Sequence, residues 1–200
     1  MNDFLSVALP TYFVLYFTTA FVLPTVLVAK RIGKNPMVLP NEDTSFGLVG
    51  RYFKFTLITI FLYAFIYPLV QNPNDLFLVI TVLQKTYIMI AGVGLMLISF
   101  LWTVVAQKQM HNSWRIGIDQ ALKTELVTHG LFSISRNPIF FGMLLSLFGL
   151  FLVTPNAVTL VFLIVGFLLI QIQVRLEEEF LSNQHGEVYR KYKQDVRRYI

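Results

Sequence analysis

The chain of 200 residues contains no cysteine. Disulfides, thiolate metal sites and cysteine-based redox or nucleophilic chemistry are thereby excluded. Charge is scarce: Asp, Glu, Lys and Arg make up 14% of the residues, against about a quarter in soluble domains. The three histidines, His111, His129 and His185, have no metal-ligand spacing, so no metal is expected. A basic leader region is missing as well. Asp3 stands near the N-terminus, and the apolar stretch after it is too long and lacks a small-residue cleavage site, so it reads as a true membrane span. No internal repeat or low-complexity segment is seen.

What the chain has is apolar sequence in blocks. Hydrophobic residues make up 56% of it, with a mean hydropathy of +0.64. This composition predicts an all-α integral membrane protein. The formal charge of +5 and a pI near 9.5 do not point to nucleic acid, because the cations flank apolar spans instead of covering one soluble face. They fit topology and anionic membrane lipid instead.

The expected architecture is a single membrane domain over 1–200, with about five transmembrane helices. Three occupy 1–106: Phe4–Ala29, Tyr52–Val70 and Thr86–Ala106. Lys30–Gly50 reads as a loop, and Gln71-Asn72-Pro73-Asn74-Asp75 as a turn. Leu76–Leu83 is apolar but short, either interfacial or an early part of the next span. Residues 107–200 hold a polar connector with a short helix near Asp119–Val127, then spans at Pro138–Val153 and Ala157–Val174. The last two spans sit at the lower length limit for crossing a bilayer. The turn Thr154-Pro155-Asn156 makes them a short hairpin. The tail Arg175–Ile200 is an amphipathic cytoplasmic helix with Leu181, Val188, Tyr192, Val196 and Tyr199 on one face, broken at Gly186. Basic residues crowd the first loop, the connector and the tail, while only Lys85 falls on the other side. The positive-inside rule then puts those segments in the cytoplasm and the N-terminus outside.

Charge at the ends of spans invites a functional reading. Arg136-Asn137-Pro138 is a helix start by composition, with Asn as N-cap and Pro as first residue. The same place offers free N–H groups, a dipole end and a guanidinium, which suit a cofactor carboxylate. Glu177-Glu178-Glu179 can be a solvated face neutralised by nearby cations. Held at headgroup level, these carboxylates can equally take ribose hydroxyls or a ligand ammonium. Gly92-Val93-Gly94 is either a helix-packing patch or a place where a ligand meets backbone. Trp114 is an interfacial anchor by type, and His129 a loop residue or a general base. Tyr189 and Tyr192 share a helical face and serve packing or a ligand.

Gly130 to Gly142 resembles the motif of the isoprenylcysteine carboxyl methyltransferase and phospholipid methyltransferase superfamily. Gly130, Phe132, Arg136, Pro138, Phe140 and Gly142 fall in register with it. Glu177-Glu178, Leu181, Gly186, Tyr189 and Tyr192 resemble the second motif, a Glu pair followed by a Gly and two Tyr. The first 100 residues are similar only in being membrane spans. Two positions depart. Asn137 replaces the family's His and hydrogen-bonds but does not titrate; Phe140 replaces a Tyr and loses a hydroxyl.

The resemblance implies S-adenosylmethionine as methyl donor and a lipophilic or small acceptor that reaches the site from the membrane lipid. By position, Arg136, Asn137, Glu177 and Glu178 are implied for the cofactor site, with Tyr189 or Tyr192 nearby and Gly92 and Gly94 as a possible Gly-X-Gly. Phe132, Phe140 and Phe141 offer aromatic faces to a cationic donor. Arg115 or Arg136 would place a carboxylate acceptor, whereas an amine or thiol needs a base, for which His129 and Glu178 are the candidates. Two other readings stay open at this point: a sterol-type membrane reductase using NADPH, and a membrane scaffold or transporter.

Overall fold

The computed structural model describes residues 2–33, 44–114 and 125–200. Among them the fold is all-helical, with no strand and one isolated bridge between Val79 and Asn156. The helices are α1 (Asn2–Phe17), α2 (Leu23–Ile32), α3 (Ser45–Ile66), α4 (Pro73–Phe77), α5 (Thr86–Met110), α6 (Pro138–Val153), α7 (Ala157–His185) and α8 (Glu187–Asp195). Four stretches are long and apolar enough to cross a membrane: Phe4–Arg31, Ser45–Leu69, Thr86–Met110 and Ala157–His185. The fourth expected span, α6, has the predicted bounds but only 16 residues. That is roughly 24 Å of helix against a hydrocarbon core of roughly 30 Å.

A π-turn, Thr18–Val22, joins α1 to α2 just before Pro24. Proline has no N–H, so the carbonyl four residues earlier, on Ala20, loses its helical donor. Gln107 of α5 supplies one, its Nε2 donating to that oxygen at 2.7 Å. In lipid such a replacement is required, because no water reaches the freed group.

α5 and α6 run against each other through small residues. A Cβ on Gly92 would lie 2.8 Å from the Gly149 carbonyl, and one on Gly142 2.3 Å from Thr103 Oγ1. Close backbone approach then allows cross-helix hydrogen bonds: Ser99 Oγ donates to Gly142 O at 2.7 Å, and Trp102 Nε1 to Pro138 O at 2.9 Å. Association in lipid rests on such contacts, since burial from water contributes nothing there. Tyr12 and Tyr16 of α1 join the same polar ladder, bonding to Ser146 and Thr103. The buried core gathers Leu5, Leu9, Ile60, Tyr63, Met96, Leu150 and Val153.

The turn between α6 and α7 is buried. Asn156 caps α7 by accepting from Thr159 N, and its Nδ2 donates to Tyr63 Oη at 2.7 Å. Residues 76–83 fold over this turn: Ile80 N donates to Pro155 O, and Ala157 N to Leu78 O. They are not an early part of α5, which starts at Thr86, but an irregular segment whose backbone groups pair with those of the turn.

Several boundaries differ from the sequence reading. Lys30 and Arg31 belong to the last turn of α2, and α3 starts seven residues before Tyr52, capped by Thr44. The 71–75 cluster contributes the first residues of the single-turn helix α4. α5 continues to Met110. α7 does not stop at Val174 but runs on to His185, because no Gly or Pro lies between Val174 and Gly186, whose φ is +56°. Most of the expected short helix at 119–127 lies outside the described residues, and Glu125–Val127 are not helical. In the tail, Tyr189 and Tyr192 form the buried face, while Val188 is 67% exposed.

Candidate functional site

Glu178 lies on α7, 21 residues after its start at Ala157. That is roughly 32 Å along the helix, one hydrocarbon thickness from the buried turn. At this level a carboxylate is costly unless it is paired. Its side chain is 4% exposed and fully engaged. Arg136 donates to Oε1 through Nε at 3.1 Å and Nη2 at 3.0 Å. Asn137 Nδ2 donates to the same oxygen at 3.2 Å. Arg198 donates through Nε to Oε1 at 3.1 Å and through Nη2 to Oε2 at 2.8 Å. Lys193 Nζ lies 3.9 Å from Oε2.

Local geometry sets the other half of the cluster. Gly130 holds a left-handed φ of +62°, and its Cα faces Gln109, where a Cβ would fall 2.3 Å from the amide nitrogen. Gln109 Oε1 accepts from Leu131 N at 2.8 Å. The chain then makes a 3₁₀ turn, Gly130–Ser133, and delivers Ser135, Arg136 and Asn137 to the start of α6. Asn137 is the N-cap by position, yet its side chain makes no cap bond; it turns to Glu178 and to the carbonyl of Arg198.

The C-terminal strap closes the cluster. Gly186 redirects the chain into α8, and residues 193–198 lie across the 132–138 segment. Arg136 N donates to Arg197 O at 2.9 Å, and Arg136 Nη1 to Lys193 O at 3.0 Å and to Val196 O. Tyr192 Oη donates to Phe132 O at 2.6 Å. Burial pushes the Tyr192 phenol up to about 12, and burial together with the Glu178 charge raises that of Tyr189. Both phenols stay neutral at physiological pH. Hydrogen bonding to Glu178 raises the Arg198 guanidinium further, so it stays charged.

Of the residues singled out from sequence, the fold brings Arg136, Asn137, Glu178, Tyr189 and Tyr192 together. Glu177 points elsewhere on the helix, where Gln173 Nε2 donates to it at 2.9 Å. His129 is exposed at the start of the 3₁₀ turn. Arg115 lies outside the described residues. Gly92 sits in the packing contact with Gly149, ten residues or roughly 15 Å of helix before Trp102, which marks the level of Pro138. Gly94 has open space where its side chain would be. The fold does not bring this pair into the Glu178 cluster. Sequence reasoning missed Arg198 and Lys193. Their only visible signal was the position of a basic tail after the Gly186 break.

The long apolar helices mark an integral membrane protein, and the motif and the Glu run meet at the end of the α6–α7 pair. A sequence model of the family described as phospholipid methyltransferase matches residues 87–188. No curated protein and no solved structure matches the chain. The family match takes in α5, α6, α7 and the cluster residues Arg136, Asn137 and Glu178, just over half of the chain, and the chain belongs to the phospholipid methyltransferase family.

Proposed function

We propose that the protein is a multi-pass membrane methyltransferase that uses S-adenosylmethionine, with its site at the cytoplasmic end of α6 and α7. The reading rests on one observation above the others: Arg136, Asn137 and Glu178, drawn from two family motifs some forty residues apart, meet in one buried cluster. The chemistry of the donor set fits the amino-acid part of such a cofactor. A guanidinium held in place by a buried carboxylate can take the carboxylate of that part. The distribution of basic residues supports five crossings, an outside N-terminus and a cytoplasmic site.

When bound, the cofactor supplies a methyl group already activated by sulfonium, and the carbon–sulfur pair stays on sulfur as the acceptor displaces it. The chain's part is therefore orientation and exclusion of water. Glu178 holds the guanidinia that face the cofactor end, and the strap closes it from water. The neutral phenols of Tyr189 and Tyr192 line the cluster without adding charge. No residue in the cluster is a free base, because Glu178 is held by guanidinia. A carboxylate acceptor needs no base. An amine acceptor sheds its proton to water or to an exposed group such as His129.

S-adenosylhomocysteine at millimolar concentration raises the unfolding midpoint of detergent-purified protein, and NADPH does not. Inverted membrane vesicles bind it and right-side-out vesicles do not. No shift with S-adenosylhomocysteine, or a shift with NADPH alone, refutes the reading. Labelled methyl donor with membrane extract then identifies the acceptor.

A further inference from the structure

The cluster is unbalanced in charge. One carboxylate, Glu178, holds two guanidinia, and a third cation, Lys193, stands 3.9 Å away. Direct contact therefore leaves an excess of positive charge. Such an excess at the membrane surface favours an anion.

Arg136 is not the group that would hold it. Its side chain is 8% exposed, and all three of its nitrogens are engaged, two on Glu178 and Nη1 on the strap carbonyls of Lys193 and Val196. Arg198 differs on both counts. It is 31% exposed and meets Glu178 only through Nε and Nη2, so its Nη1 edge is left over from that pairing. Lys193 beside it is 49% exposed. Glu178 thus acts as a fixed anchor that holds the Arg198 fork in one orientation. A guanidinium held so by one carboxylate is prepared for a second anion at low ordering cost.

We infer that Arg198, seconded by Lys193, is an anion-binding subsite at the edge of the Glu178 cluster. Both residues lie beyond residue 188, where the family match ends. The inference rests on the methyltransferase reading above. The anion is a carboxylate or phosphate monoanion. Its source is the carboxylate of the donor's amino-acid part or the phosphate of an acceptor headgroup.

The test compares wild-type protein with Arg198→Gln and Arg198→Lys in detergent. Each is titrated with S-adenosylhomocysteine and with its decarboxylated counterpart, and separately with lysophosphatidylethanolamine and a monoacylglycerol of the same chain. If the donor carboxylate is the anion, Arg198→Gln weakens S-adenosylhomocysteine binding at least tenfold. It leaves the decarboxylated ligand within twofold, and Arg198→Lys restores part of the loss. If the headgroup phosphate is the anion, the same pattern falls on the lysolipid against the monoacylglycerol. Equal losses for charged and uncharged members of both pairs mean that Arg198 only holds the strap, and they overturn the inference. So does the absence of any change. Failure of wild-type protein to bind S-adenosylhomocysteine at all overturns the underlying reading instead.

Discussion

Glu178→Gln separates a buried hub from an ordinary acidic residue. The substitution keeps the shape and removes the charge that faces Arg136 and Arg198. Removing one partner of a buried, hydrogen-bonded ion pair costs about 3–5 kcal/mol, mostly because the other charge is left without compensation. Here the lower end applies, because only Arg136, at 8% exposure, stays buried, while Arg198 and Lys193 can turn to water. A loss of about 3 kcal/mol would fall on the docking of the strap. It raises the open population on the order of 100-fold, at about 1.4 kcal/mol per tenfold. The assay is limited proteolysis with trypsin, which has sites at the exposed Lys193 and Arg197. When opening and closing are fast, cleavage tracks the open population. The strap of the Gln variant is cut roughly 100-fold faster, while cleavage elsewhere is unchanged. Glu177→Gln is the control: Glu177 pairs within its own helix with Gln173, and its loss costs less than about 1 kcal/mol. Equal cleavage of the two variants, or no acceleration in the Glu178 variant, would refute the hub.

Two further outcomes follow from single hydrogen bonds. Gln107→Leu removes the donor that replaces the missing Pro24 N–H at Ala20 O. The orphaned carbonyl costs about 1–3 kcal/mol, seen as a lower unfolding midpoint in detergent, and an unchanged midpoint would mean that the π-turn satisfies itself. Tyr192→Phe loses the 2.6 Å bond to Phe132 O, for about 1 kcal/mol. It also changes the alkaline response. Burial raises the Tyr192 phenol from 10.0 to about 12, so its contribution is complete below pH 10 and is lost as pH rises through the folded value. Between these limits the wild-type unfolding midpoint falls with pH more steeply than that of the Phe variant; parallel slopes would contradict the assignment.

The structure follows the sequence where local chemistry decides and departs where it does not. α6 was legible to the residue because Asn137-Pro138 starts it and Thr154-Pro155-Asn156 ends it. The end of α7 was not. Hydropathy drops at Arg175, but a helix needs only backbone continuity and tertiary support, and both last until Gly186. Residues 76–83 carry no period. Their partners, Pro155 and Ala157, are some seventy-five residues away in sequence, so nothing local announced this pairing. In the site, Arg136, Asn137 and Glu178 were legible because two motifs named them. Arg198 was not, since a basic doublet after a span reads as topology, and its contact depends on the fold back at Gly186.

The contact of Arg198 with Glu178 also bears on where the proposed site ends. The family match stops at residue 188, yet the carbonyls that engage Arg136 Nη1 belong to Lys193 and Val196. The second guanidinium on Glu178 comes from Arg198. Without residues 189–200, Arg136 would keep one carboxylate and lose its neutral acceptors. Glu178 Oε2 would then face the headgroup layer without a close hydrogen-bonding cation. A charge in that setting either hydrates, which opens the cluster to water, or reorients. Both outcomes work against a reaction that depends on orientation and dryness. On the proposed reading the strap therefore belongs to the site in the same physical sense as the motif it covers, although residues 189–200 lie outside the family match.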